Sequence, residues 1–427
     1  MSEAAPTSAP VLSPLAFRDY RLFWIARFSA VMATMAMVVI IGWQVYDLAR
    51  SDYGMTERQA ALQLGLLGLV QFVPLAILTP VAGWVADRFD RRWVAILANA
   101  IDLSVALALG WFTHNDELTL PLLFALAAAH GMARVFVGPS MSAMVANLVP
   151  AETLPTAIAY NSMAWQIGSV VGPALGGFLY TTNPALPYWE AAALLALASF
   201  AVGAIKPLPL TGIKGKAHPV RQMVDGLRYT WRERFLLGAI TLDLFAVLLG
   251  GATALLPVFA RDILQVGTDG LGWMRAAPAV GATIMSVWFA ARPLRHNVGV
   301  KMLWAVVIFG LATIGFGLSR DFGLSLLMLA ILGAADMLSV YVRSSLIQLN
   351  TPDQMRGRVS SVSTLAISAS NELGEMQSGL AAAALGPVGA VVFGGAGAIL
   401  VTGLWAYLFP ELRNARTFEP QFRDAKE

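Results

Sequence analysis

About twelve apolar runs, each long enough to cross a lipid bilayer, constrain this 427-residue chain more than any other feature. They fall at 22–48, 60–86, 93–113, 120–147, 157–181, 187–205, 235–260, 270–291, 300–318, 323–349, 359–385 and 388–409. Hydrocarbon offers no water to a free backbone N–H or C=O, so segments of this length must satisfy their own hydrogen bonds as helices. Only 13% of the residues are charged, against about 25% in a soluble domain, and the mean hydropathy is +0.65. The expectation is an all-α polytopic membrane protein with twelve transmembrane helices and no separately folded extramembrane domain. There is no cysteine, which excludes disulfides, thiolate chemistry and cysteine metal sites. Four scattered histidines, 114, 130, 218 and 296, argue against a transition-metal site. No P-loop, no H-E-x-x-H and no Ser-His-Asp grouping is present, so neither an ATP-driven pump nor an enzyme is expected.

The basic residues set the orientation. Arg88, Arg91, Arg92, Lys206, Lys214, Lys216, Arg221, Arg228, Arg232, Arg234, Arg292, Arg295, Arg356 and Arg358 fall on one side of the runs. Arg50, Arg58, Arg261 and Arg320 fall on the other. The positive-inside rule then puts both termini in the cytoplasm, and this topology accounts for the net charge of +3 without any nucleic-acid partner. The opening "MSEAAPTSAPVLSP" reads as a disordered tail rather than a cleaved signal. The longest loop, 206–234, is basic and divides the chain into halves 1–205 and 235–427, the second with a cytoplasmic tail. Its part 219–234 is expected to lie on the membrane surface, with Tyr229 and Trp231 at the headgroups. The halves look related by an offset of 202 (130 to 332): "HGMARVFVGPSMSAMVANLVPAETL" aligns with "LGAADMLSVYVRSSLIQLNTPDQMR". Such a parallel repeat places the substrate site near the bilayer midplane, between the halves.

After the second run comes "GWVADRFDRRW". The pattern of Gly83, Asp87, Arg88, Arg91 and Arg92 resembles the signature loop of the major facilitator superfamily. The resemblance implies that Asp87 caps the start of helix 11 and that the arginines join a cytoplasmic latch of the outward-open state. An acid at a helix N-terminus is favoured by the dipole. Asp90 stands where the family often has glycine and would add a second acid to this gate; the alternative is an ordinary positive-inside loop. Helix 5 carries "GSVVGPALGG", and Gly168, Gly172, Pro173, Gly176 and Gly177 resemble the stretch typical of the antiporters of that superfamily, although an earlier glycine of the longer pattern is Ala159 here. Small residues let helices approach closely, and the resemblance implies packing against helix 8 across the halves. The stretches 148–177 and 350–379 are similar to the bacterial exporters that include the enterobactin exporters.

Ionisable residues inside spans are functional candidates by default. Asp336, Glu372, Glu375, Asp243 and Asp102 are the candidate proton-coupling groups. Arg134, His130, Arg343, Trp43, Gln44 and Met35 are the candidate cavity residues. The repeat puts Arg134 and Asp336 at equivalent positions, so the two are expected to face one another across the cavity, directly or through water or substrate. The same offset maps "GSVVGPALGG" onto "SNELGEMQSG", residues 370–379, so helix 11 should meet helix 2 as helix 5 meets helix 8. Glu372 and Glu375 then lie about 21 and 26 Å along the helix from Arg358, near that interface. They are either titrated as the gate moves or fixed in a polar cluster.

Together these features imply a monomeric secondary transporter of the bacterial inner membrane. It would exchange small amphipathic organic molecules, drug-like or siderophore-type, for protons by alternating access. It would need no cofactor besides the proton gradient, and no partner besides substrate and membrane lipids. The rivals are a lipid or lysolipid flippase of the same fold, a metal exporter, and a non-transporting receptor or scaffold. The histidine-rich tail common in nickel exporters is absent from "ELRNARTFEPQFRDAKE".

Overall fold

The apolar runs become twelve long helices, and a repeated packing scheme joins them into two halves. The computed structural model describes residues 13–207, 219–292, 294 and 296–418; the reading of residues 1–12 as a tail, and the middle of the 206–234 loop, lie outside them. The first half comprises α1 (Arg18–Ser51), α2 (Glu57–Arg88), α3 (Arg91–His114), α4 (Leu120–Met144), α5 (Leu154–Thr182) and α6 (Leu186–Gly203). A linker helix, Pro219–Arg232, follows. The second half comprises α7 (Arg234–Leu249), α8 (Gly267–Ala291), α9 (Val298–Leu318), α10 (Phe322–Leu349), α11 (Asp353–Leu385) and α12 (Pro387–Leu408). The side bearing the linker is the linker face below, and the opposite side is the far face.

Nine helical segments among the described residues are long and apolar enough to cross a membrane by length and composition. The helices that fall short are α5, α8 and α11. A helix that turns much of its circumference to other helices or to a cavity need not be apolar all round, and these three do so.

The five most extensive helix contacts of the first half recur in the second. The pairs α1–α5, α1–α6, α2–α4, α3–α4 and α3–α6 match α7–α11, α7–α12, α8–α10, α9–α10 and α9–α12. Across the halves the main pairs are α2–α11 and α5–α8, which the repeat exchanges. Both crossings use glycine. A Cβ on Gly65 would lie 2.9 Å from the Cα of Gly379, and one on Gly272 would lie 2.7 Å from the carbonyl oxygen of Pro173. Side chains there would force the halves apart, so the crossings need small residues.

The far face is closed by polar contacts between α1 and the segment after α7. Arg261 pairs with Asp47 at 2.8 Å. Asp262 accepts hydrogen bonds from the Tyr46 hydroxyl and, at 3.2 Å, from Arg50 Nε.

That segment departs from the sequence expectation. The run 235–260 reads as one continuous span, yet α7 stops at Leu249. After Gly250 and Gly251 come a 3-10 turn (Ala252–Leu255), a short turn (Leu256–Val258) and a π turn (Phe259–Ile263). Two glycines lower the cost of leaving the helix, and Pro257 cannot donate to it. The Ser378 hydroxyl of α11 donates to the Gly251 carbonyl oxygen at 3.0 Å. Broken helices of this kind mark binding sites in transporters, because freed backbone groups line a cavity.

Candidate functional site

A cavity of about 600 Å³ lies between the halves. On α1, Met35, Val38, Val39 and Gly42 face it, the one-face spacing of an α-helix. Its polar wall forms a layer. Gln71, Arg134 and Asp336 each stand fourteen residues from the far-face start of their helices, Glu57, Leu120 and Phe322. Glu372 stands thirteen from the far-face end of α11, Leu385. At 1.5 Å per residue all four sit about 20 Å deep, and all four line the cavity. Helix length and equal register therefore gather polar groups from four helices at one level.

Arg134 holds this layer together. It lies 4.0 Å from Glu372 and donates to Gln71 Oε1 at 3.3 Å. The close approach of α4 to α2 that permits this depends on Gly131, where a Cβ would be 3.3 Å from the Gln71 Cα. Glu375 lies one turn further toward the far face and packs over Gly68 of α2; a Cβ on Gly68 would lie 2.7 Å from that of Glu375. Both glutamates thus sit where α2 and α11 cross between the halves. Arg275 of α8 completes the set, donating to the Thr253 carbonyl oxygen of the broken segment at 3.3 Å. On the other wall the Gln166 amide donates to the Ala279 carbonyl oxygen at 3.0 Å, joining α5 to α8.

The direct pairing of Arg134 with Asp336 is not the one the structure makes. Residues related by a two-fold axis touch only if they point at the axis, and these occupy opposite walls. Arg134 turns to α2 and α11, whereas the electrostatic neighbours of Asp336 are Asp243 and Arg343. By the repeat offset, the counterpart of Glu372 on α5 is Val170, so the Arg134–Glu372 pair has no copy beside Asp336.

Several expected cavity residues lie elsewhere. Trp43 and Gln44 are buried inside the first half, one and two positions beyond Gly42 and so 100° and 200° further round the helix. Gln44 accepts from the Tyr188 hydroxyl at 2.6 Å and donates to Thr113 Oγ1 at 3.2 Å. Trp43 packs edge-on against Tyr180. His130 and Asp102 form a buried pair between α4 and α3, with His130 Nδ1 2.6 Å from Asp102 Oδ1. Arg343 and Asp243 form a buried ion pair between α10 and α7. Neither pair lines the cavity. Arg275, Gln71 and Gln166 are the residues that sequence reasoning passed over. Arg275 stands eight residues from the start of α8, and the two glutamines carry no charge to single them out within α2 and α5.

Gly168, Gly172 and Gly176 pack α5 against α1, with Val31, Met32 and Ala36 as their neighbours. The stretch also reaches α8, where Pro173 and Ala174 meet Gly272 and Gly177 meets Thr268. The motif thus serves packing within the first half as well as across the halves.

Gly83 and Asp87 fall in the last turns of α2 rather than in a loop. The surroundings of Gly83 and the side chain of Asp87 lie outside the described set, and with them the expected contact of Asp87 with α11. Arg88 and Arg91 both take part in interactions. Asp90 is an N-cap of α3: it accepts from the Arg92 backbone N–H at 3.0 Å and pairs with the Arg92 guanidinium at 2.8 Å. Arg92 in turn donates to the Ile205 carbonyl oxygen at 2.6 Å, all within the first half. The side-chain hydrogen bonds from Arg92 hold the Asp90 carboxyl below its ordinary pKa of 3.8. The stability this adds is present at neutral pH and is lost as pH falls through the depressed value. Asp90→Ala should lower stability by about 1 kcal/mol, read as a reduced Tm in detergent at pH 7, with the difference from the parent shrinking near pH 3.

Comparison with known proteins agrees with this architecture. The enterobactin exporter EntS of Escherichia coli O1:K1 is 26% identical over 411 residues, covering 94% of each chain. A D-xylose–proton symporter superposes with a TM-score of 0.71 at 14% identity, over 91% of this chain and 98% of that one. A bacterial homologue of the human lysosomal transporter Spinster, in an inward-facing and occupied conformation, gives 0.68 at 14% identity, over 93% and 96%. The family model of the Major Facilitator Superfamily matches residues 23–375. With the two packed six-helix halves and the cavity between them, that match places the chain in the Major Facilitator Superfamily, a family of membrane transporters and not of enzymes.

Proposed function

We propose that this transporter exports small amphipathic organic molecules, of the siderophore or drug-like class, in exchange for protons. One observation carries the reading: a cavity of about 600 Å³ between the halves whose mostly apolar wall is interrupted by Arg134, Arg275, Asp336, Glu372 and Glu375. That volume suits a single organic ligand, and few polar groups among apolar ones favour a partly hydrophobic substrate. Glu372 and Glu375 stand at a crossing that must open when the halves rock, so transport and carboxylate environment change together. The similarity to an enterobactin exporter supports a siderophore-type substrate and the outward direction. In this reading the linker face is cytoplasmic, the membrane is the bacterial inner membrane, and the closed far face makes this the inward-facing state. The chain works as a monomer, with the proton gradient as its energy source and no cofactor.

The test is transport in proteoliposomes: a catecholate siderophore and a cationic dye, each added with a pH-sensitive probe of the lumen. Substrate-driven proton movement is expected, together with counterflow of labelled substrate. Asp336→Asn should reduce proton-driven export by on the order of 100-fold. Full proton-driven export by that variant would remove Asp336 from the coupling. Lipid movement without proton release would favour a flippase, and absence of any counterflow would exclude transport of these substrates.

A further inference from the structure

The linker helix Pro219–Arg232 has two unlike sides. Gly226 and Thr230, one turn apart, are buried against the protein. A Cβ on Gly226 would lie 2.7 Å from the Arg358 carbonyl oxygen, and the Asp225 carboxylate stands 3.6 Å from the Arg358 guanidinium. On the other side Val224, Leu227 and Trp231 are exposed at 47%, 52% and 70%. Their spacing, i, i+3 and i+7, makes one apolar stripe. Arg228 and Arg232 each follow a stripe residue by one position and so border it along one edge. Both are exposed, and neither pairs with an acid among the described residues.

One residue, Glu233, separates this helix from α7, and Arg234 at the start of α7 is held by Glu411 at 3.1 Å. So short a join keeps the helix at the level where α7 enters the bilayer. We propose that the outer face of the linker helix docks on anionic phospholipid headgroups of the leaflet on the linker face. The stripe enters the acyl boundary while Arg228 and Arg232 meet the phosphates, as an amphipathic interfacial helix does. A protein partner would have to reach a face set directly beside the bilayer surface, whereas lipid is already there and carries the complementary charge. The helix also packs on α2 and α11, the pair that crosses between the halves. Lipid bound here therefore bears on the linker-face end of α11 through the Gly226–Arg358 contact.

The chain contains no cysteine, so Leu227→Cys supplies a single site for a polarity-sensitive fluorophore on the full-length protein. The labelled protein is reconstituted in vesicles of phosphatidylcholine alone, or with about a third phosphatidylglycerol. Phosphatidylglycerol is expected to shift the label to a less polar environment and expose it to a lipid-borne quencher, and about 1 M salt should reverse this. Each arginine contributes about fivefold to such binding, so Arg228→Gln with Arg232→Gln should cut the response to phosphatidylglycerol about thirtyfold. Both positions are exposed, and an unchanged Tm checks that the variant is folded. The proposal is overturned by an identical signal in the two vesicle types, by a lipid response retained in the double variant, or by a label open to aqueous iodide in both, as a face reserved for a soluble protein would be.

Discussion

Glu375→Gln is expected to abolish substrate-driven proton release, by on the order of 100-fold, while substrate counterflow stays within a few fold of the parent. The side chain lies at the α2–α11 crossing, packed over Gly68 and one turn from the Arg134–Glu372 pair. Glutamine keeps its shape and cannot take up or release a proton at neutral pH. The substitution therefore leaves the crossing intact and removes only the titration. Counterflow measures the rocking of the halves around substrate without net proton movement, so the two assays separate a coupling role from a packing role. Unchanged transport with an unchanged pH dependence would mean that Glu375 belongs to a fixed polar cluster. Gly68→Leu provides the contrasting perturbation: it overfills the crossing, should lower both assays together, and leaves the carboxylate in place.

The second large effect concerns Arg343 and Asp243, whose ion pair is almost wholly buried between α10 and α7. Removing one member strands the other charge in a low-dielectric interior, which costs about 3–5 kcal/mol. Arg343→Met should thus lower Tm sharply and reduce the yield of folded protein. Replacing both members with apolar residues of similar size should recover most of that loss, because no unpaired charge remains. If the double variant, Arg343→Met with Asp243→Leu, regains stability and transports normally, the pair only sets helix register. If it regains stability and loses proton coupling, Asp243 takes part in the proton path together with its neighbour Asp336. A single Arg343→Met variant as stable as the parent would contradict the burial argument.

Much of the architecture is legible in the order of residues. Apolar length dictates helices, because hydrocarbon leaves backbone groups no other partner. The match of Gly131 with Gly333 and Pro150 with Pro352 at one offset anticipates the paired halves and the α2–α11 contact, because equivalent sequence packs equivalently. Charge in a span also marks chemistry, because its cost must be met: Arg134, Asp336, Glu372 and Glu375 all line the cavity.

Which charges meet was not legible. A one-dimensional offset says that Arg134 and Asp336 are equivalent, but an axis between two halves separates equivalent residues unless they lie on it. Partner choice depended on helix rotation, and rotation is set by the glycine contacts at Gly131, Gly68 and Gly65. A turn of 100° per residue separates cavity-lining Gly42 from buried Trp43 and Gln44, a difference that hydrophobicity alone does not register. The break in α7 was hidden for a related reason: Gly250 and Gly251 interrupt an otherwise apolar run, and the Gly251 carbonyl that the break releases is met by the Ala254 backbone N–H and by the Ser378 hydroxyl of another helix. Sequence by itself determined that this chain spans a membrane as two related halves with costly charges inside. Tertiary structure decided which of those charges share a cavity and which are buried in pairs, because side-chain pairing is a matter of rotation and register between helices distant in the chain.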